Sequence, residues 1–235
     1  MKKVVGLGDA GWFLDALTWD GINASRTEFS YAYDMWNSST GVNDACVAAN
    51  PGVEWRCIFA QVRQPPPAAA SPSGSSLSRC GRPAAQYTFP HITTPTFIAE
   101  GGYDSWQLGN LLKLPCHDCS GGKCSAAGGC PAGTKADCCG NASYTDAFLA
   151  YGVQMKQSIR AAVAAKPAAT VGAFVSGCIV HCQTIFNEGQ DRWNAWQVGG
   201  RKPHEVFHSF FFGGGEAVAI DDKVYPENPS CPVWT

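Results

Sequence analysis

Between Ser143 and His181 the sequence runs helix, strand, loop, and that order constrains the fold more than any other feature of the chain. Phe148, Tyr151, Met155, Ile159 and Val163 recur at helical spacing, and Pro167 ends the run. Ser143-Tyr-Thr-Asp146, just ahead of them, reads as a capping box with Asp in place of Glu. Thr170-Val-Gly-Ala-Phe-Val175 then has the continuous apolar character of a strand buried on both faces, and Ser176 to His181 reads as a polar loop leaving it. A helix that feeds a fully buried strand predicts α/β architecture with a parallel sheet. In such sheets chemistry gathers outside the carboxyl ends of the strands.

The remainder of the chain fits around that unit. Lys3 to Leu7 is a short β-type run into the turn Gly8-Asp9-Ala10-Gly11, and the bulky Trp12-Phe13-Leu14 follows directly. Thr96-Phe97-Ile98-Ala99 reads as a short buried strand behind Pro95, with Glu100-Gly101-Gly102-Tyr103-Asp104 as the loop that leaves it. Residues 43–62 carry Cys46 and Cys57 around Val53-Glu54-Trp55-Arg56, a helical or looped hairpin closed by one disulfide. Residues 64–78 are rich in Pro, Ala and Ser, including Pro65-Pro66-Pro67, and predict a flexible surface loop.

Cysteine usage bounds the compartment. Twelve cysteines in 235 residues is an even and high count, as expected of disulfides formed in an oxidising, secretory environment. Cys116, Cys119, Cys124, Cys130, Cys138 and Cys139 lie in a Gly-rich stretch with too little apolar content for a core of its own. Residues 116–139 are therefore read as a disulfide-stapled insertion. Zinc is the alternative, but only Cys116-x-x-Cys119 has knuckle spacing and the adjacent Cys138-Cys139 pair does not, so no metal is expected. The sequons at Asn23, Asn37 and Asn141 agree with secretion to the extracellular space or cell wall. The opening Met-Lys-Lys-Val-Val-Gly-Leu-Gly-Asp has no apolar core of a signal peptide, so the expectation is a chain that has lost its leader. With 17 basic against 19 acidic residues there is no basic footprint for nucleic acid, and no apolar run is long enough to span a membrane.

Two predicted strand exits each deliver a group suited to acid–base work, Asp104 and His181. An Asp that orients a His, which in turn activates a hydroxyl, needs the carboxylate on one imidazole nitrogen and the hydroxyl on the other. The bare pair reads more readily as a hydrogen-bonded structural histidine beside a disulfide. The local motifs add more. Gly8-Asp-Ala-Gly-Trp-Phe-Leu-Asp15, Trp55-Arg-Cys57, Gly102-Tyr-Asp-Ser-Trp-Gln107 and Ser176-Gly-Cys-Ile-Val-His-Cys-Gln-Thr184 occur in that order. Together they resemble the pectin acetylesterase and Notum family of carboxylesterases, from about Val4 to Cys231.

That resemblance implies an α/β-hydrolase-like fold, no cofactor, and a Ser-His-Asp triad in which Asp104 is the acid and His181 the base. The implied substrate is an acetylated polysaccharide or an acylated protein. Glu100-Gly101-Gly102 departs from the family, which usually places an asparagine-containing segment there. The family's Gly-Cys-Ser-Ala-Gly-Gly nucleophile elbow, expected upstream of the Asp-Ala-Gly segment, has no counterpart, and no Gly-x-Ser-x-Gly occurs anywhere in residues 1–235. The expectation is the C-terminal part of a single family domain with an incomplete N-terminal half and no nucleophile of its own, inactive alone. Lys123-Cys-Ser125-Ala-Ala-Gly-Gly129 imitates the elbow, but Ser125 follows Asp104 and no apolar strand leads into it. A non-catalytic extracellular binding or structural protein that keeps the scaffold is the rival reading. His91, His204 and His208 have no motif around them; Trp193 and Trp196 are read as cleft-lining or packing residues.

Overall fold

The computed structural model describes residues 3–22, 24–59, 88–114, 142–184 and 192–225. Four strands among them, β1 (Gly6–Asp9), β2 (Thr96–Tyr103), β3 (Val171–Ile179) and β4 (Val218–Ile220), form one sheet in the order β1-β2-β3-β4 with every pairing parallel. The helices are α1 (Ala24–Met35), α2 (Asp44–Ala49), α3 (Thr88–His91), α4 (Ser105–Asn110), α5 (Ala142–Ala164), α6 (Arg192–Ala195) and α7 (Pro203–Phe212).

Side chains alternate across a strand, and here both faces are covered. Ile98, Val171, Ala173 and Val175 face one core, where α5 contributes Phe148, Tyr151, Met155 and Ile159. Phe97, Ala99 and Phe174 face the other, closed by Val206 and Phe210 of α7. The helix predicted from Phe148 to Val163 is α5, but it already begins at Ala142, so Ser143 lies within its first turn and does not cap it.

Both predicted strands run further than expected. β2 continues through the segment read as a loop and ends at Tyr103, and β3 continues to Ile179. The physical reason is close backbone approach. A Cβ on Gly101 would lie 2.4 Å from the Val180 carbonyl oxygen, so only glycine lets β2 stay beside β3 there. The pairing shifts register between Gly101 and Tyr103, which marks where the strands begin to splay. The first strand is likewise displaced toward the C-terminus, Gly6–Asp9 in place of Lys3–Leu7, because its ladder with β2 starts at Gly6↔Thr96.

Cys46 and Cys57 form the expected disulfide, between α2 and a 3-10 turn at Glu54–Ile58. Cys178 is disulfide-bonded as well, in line with the expectation of disulfides and of one beside His181. Helix α1 was also missed, since Ala-Ser-Arg-Thr-Glu-Phe-Ser-Tyr-Ala-Tyr-Asp-Met has no apolar stripe like that of α5. The 64–78 segment, the 116–139 cysteines, Ser125, Asn23 and Asn141 lie outside the described residues. Asn37 lies within them, in the left-handed region at φ 48°.

Tyr103 locks β2 to α5. Its ring is fully buried, stacks on Phe148 at 4.6 Å between centroids, and its hydroxyl accepts from the Tyr225 N–H at 3.0 Å. A Cβ on Gly152 would stand 2.2 Å from that ring. Alanine ordinarily gains about 1 kcal/mol over glycine inside a helix. Here the clash dominates, because a pinned ring has nowhere to go. Gly152→Ala is expected to destabilise the protein by about 1–3 kcal/mol, read from the denaturant midpoint; an unchanged or raised midpoint would count against this packing.

Candidate active site

Three strands deliver their exits to one edge of the sheet. β1 leaves through Asp9 and Trp12, β2 through Asp104, and β3 through His181. Asp104 caps α4, its Oδ1 accepting from the Gln107 N–H at 2.9 Å. The same carboxylate lies 2.9 Å (Oδ2) and 3.1 Å (Oδ1) from His181 Nδ1. An ionised carboxylate only accepts, so Nδ1 carries the hydrogen and Nε2 is left with the free lone pair. Asp104 is fully buried, whereas the His181 side chain is 35% exposed. The structure thus brings together the two residues singled out in the sequence, with the outward nitrogen of the imidazole reachable from solvent.

The shell behind them holds each loop in place. The Gln107 side chain is buried, donating Nε2–H to the Trp12 carbonyl at 3.0 Å and accepting from the Leu14 N–H at 3.0 Å. The Asp-x-x-Gln spacing therefore serves two purposes: Asp104 closes the first turn of α4 and Gln107 ties that turn to the β1 exit. Trp12 donates its indole N–H to Ser158 on α5 at 3.1 Å and its backbone N–H to Glu100 at 2.9 Å. The histidine segment is anchored from the other side, where Asp9 accepts from the Gln183 N–H at 2.8 Å, the Thr184 N–H at 2.9 Å and the Thr184 hydroxyl. Arg192 donates to the Cys182 carbonyl at 2.7 Å.

Trp106 flanks the imidazole, its ring stacked at 6.0 Å from that of His181 and edge-on to Phe13 at 5.5 Å. It is 40% exposed, an apolar wall beside the open nitrogen. Cys182 is a free thiol next to His181; burial first, then the charges of Asp9 and Asp104, push its thiol up and disfavour the thiolate. Trp193 packs on Phe97 and Phe207, and Trp196 is buried with Cys178 and Val180, so both are packing residues. His204 accompanies them on α7, hydrogen-bonding the Trp193 carbonyl, while His208 stacks near Phe212 and His91 ends α3. No cluster of metal-ligating side chains occurs among the described residues.

The sequence reading missed Glu100, whose signal was a carboxylate inside an otherwise apolar strand. It is fully buried and accepts from the Trp12 N–H at 2.9 Å and the Gly101 N–H at 3.2 Å. Burial, then the Asp104 charge, raise its carboxyl well above the ordinary range.

The pectinacetylesterase family profile matches residues 74–232, more than half of the chain. Among solved structures, the Wnt deacylase Notum from Drosophila has the same fold at a TM-score of 0.56 and 17% identity. The match covers 98% of this chain and 49% of that one, so the chain spans about half the length of that structure.

Two outcomes follow from the shell. Removing all three Asp9 contacts in Asp9→Ala is expected to cost about 1–3 kcal/mol and to speed amide hydrogen exchange at Gln183 and Thr184 selectively; unaltered exchange there would dismiss the anchor. A raised carboxyl in the folded state contributes stability that is complete below the ordinary carboxyl range and is lost as pH climbs toward the raised value. Melting temperature should therefore fall with pH above about 4.5, and Glu100→Gln should flatten that slope.

Proposed function

The chain belongs to the pectinacetylesterase family, and on that premise we propose that it supplies the acid–base half of a serine carboxylic-ester hydrolase acting on O-acetyl groups of a polysaccharide outside the cell. The observation that carries the reading is the fully buried Asp104 carboxylate on His181 Nδ1, with Nε2 open at the carboxyl edge of a parallel sheet. In the proposed reaction His181 Nε2 takes the proton of a serine hydroxyl as its oxygen attacks the ester carbonyl, then returns that proton to the departing sugar oxygen. Water attacks the acyl-enzyme by the same route and releases acetate. Asp104 stays ionised throughout, fixing the tautomer and stabilising the imidazolium. Trp106 and Phe13 form the wall against which the acyl group and sugar ring would lie.

Residues 1–235 contain no Gly-x-Ser-x-Gly elbow, so the hydroxyl and the oxyanion donors are to come from outside them. Support comes from the edge of the sheet, where β1 leaves Leu7 47% exposed and the nearby Val4 is 73% exposed, a surface suited to further strand pairing. An acylated protein is the alternative substrate, in line with the deacylase described for the Notum structure. The second functional reading, a non-catalytic extracellular scaffold, rests on His181 Nε2 having no hydroxyl partner among the described residues.

The test begins with residues 1–235 alone, which are expected to show no labelling by a fluorophosphonate probe and no turnover of p-nitrophenyl acetate. Fused behind a family segment that carries the elbow, the chain should hydrolyse that ester. His181→Ala should then lose about 10³-fold or more, and Asp104→Asn a comparable or smaller factor. Labelling of the chain alone would reveal a nucleophile within it, and a folded but inert fusion would favour the scaffold reading.

A further inference from the structure

We propose that His204 and His208 together chelate one divalent transition cation, of the class of zinc, on the open face of α7. The proposal stands apart from the hydrolase reading above and does not depend on it.

The pair exists because Pro203–Phe212 is a helix. Taken singly along the chain the two histidines have nothing around them; folded into α7 they become neighbours. Residues four apart on a helix share a face, with Cβ atoms about 5–6 Å apart. An ion bound at about 2.0–2.1 Å from each of two ring nitrogens fits between such side chains. The segment His204-Glu-Val-Phe-His208 has the spacing at which a helix presents two imidazoles to zinc.

The surroundings of the pair point the same way. His204 Nδ1 lies 3.2 Å from the Trp193 carbonyl oxygen. A carbonyl only accepts, so Nδ1 carries the hydrogen and Nε2 keeps its lone pair. A backbone carbonyl on the second ring nitrogen is also how metal-ligating histidines are oriented. The exposed His208 ring packs 4.8 Å from that of Phe212. Both histidines line one open cavity of about 590 Å³, with Glu205, Phe207, Ser209 and Phe212, so a hydrated ion reaches both.

The chemistry of the donors selects the ion. Imidazole suits zinc, copper(II) and nickel, whereas calcium and magnesium prefer oxygen. No third ligating side chain joins the pair among the described residues, so water completes the coordination. Glu205 does not take the general-base part that this spacing gives a glutamate in metallopeptidases. Its Oε2 accepts from the Lys202 N–H at 2.8 Å and closes the first turn of α7. Its charge there offsets the positive end of the helix, which would otherwise repel a cation beside His204. The segment therefore supplies a cation site without a base.

The experiment uses the folded 235-residue chain without a purification tag, its free thiols alkylated so that cysteine cannot take the metal. Zinc is titrated by calorimetry at about pH 7.5, where ordinary imidazoles are mostly neutral, into wild type, His204→Gln and His208→Gln. Wild type should bind a single equivalent, and each variant should lose about tenfold or more in affinity. Zinc should slow carbethoxylation of His204 and His208 together, located by peptide fragmentation. It should also raise the melting temperature of wild type but not of His208→Gln. Calcium should do neither. Absent zinc binding, equal affinity in wild type and folded His208→Gln, or protection that misses either histidine overturns the proposal. If His204→Gln loses its fold with the Trp193 contact, His208→Gln and the protection pattern decide.

Discussion

Strand β2 pairs in parallel with β1 on one side and β3 on the other while both of its faces are covered, and most of the molecule is arranged around that burial. A strand so enclosed has no solvent for the polar groups at its end. Glu100, Asp104 and Gln107 are all fully buried, and each must find its partners within the protein. They find them in the neighbouring exits, in backbone groups and in the His181 imidazole. Glu100 and Gln107 take Trp12 and Leu14 from the β1 side, and Asp104 takes His181 from the β3 side. The requirement to satisfy buried polar atoms is thus what assembles three distant loops at one edge.

The same constraint explains why the site is rigid behind and open in front. Behind the imidazole lie groups with fixed partners: Gln107 between α4 and the β1 exit, Asp9 gripping Gln183 and Thr184, and Ser176 holding the Gln183 side chain. In front, the half-exposed His181 imidazole and the Trp106 ring form the open side, where on the proposed reading a reacting hydroxyl and an acyl group would meet. A base that must move a proton within one turnover needs its ring held to a fraction of an ångström, and a shell of backbone donors locked by buried side chains provides that hold.

The proposed reaction class rests on membership of the pectinacetylesterase family, and the chain spans about half the length of the Notum structure. On the proposed reading, acid and base would come from exits that this sheet builds. A nucleophile elbow and its oxyanion donors are a separate strand–turn–helix element. The division is a physical one: orienting an imidazole requires only the β1–β3 half of the network, whereas activating it on an ester requires a hydroxyl delivered to Nε2 from another strand end.

Helix α5, the buried runs of β2 and β3, and the Cys46–Cys57 closure were legible in the sequence because each depends on local periodicity or on cysteines eleven residues apart. Asp104 and His181 were legible through the motifs around them. Glu100 was not, nor were the ends of β2 and β3, and the reason is separation along the chain. The Trp12–Glu100 bond spans 88 residues and the Gln183–Asp9 bond 174, distances over which no pattern of neighbours carries information. A glutamate beside two glycines reads as a loop until Val180 is packed against Gly101 and the Trp12 N–H is brought onto the Glu100 carboxyl. Sequence by itself determined the long helix, the buried starts of β2 and β3 and which side chains had the chemistry; packing in three dimensions decided where the strands ended and that the Asp104 carboxylate faces the imidazole, because those contacts join residues far apart along the chain.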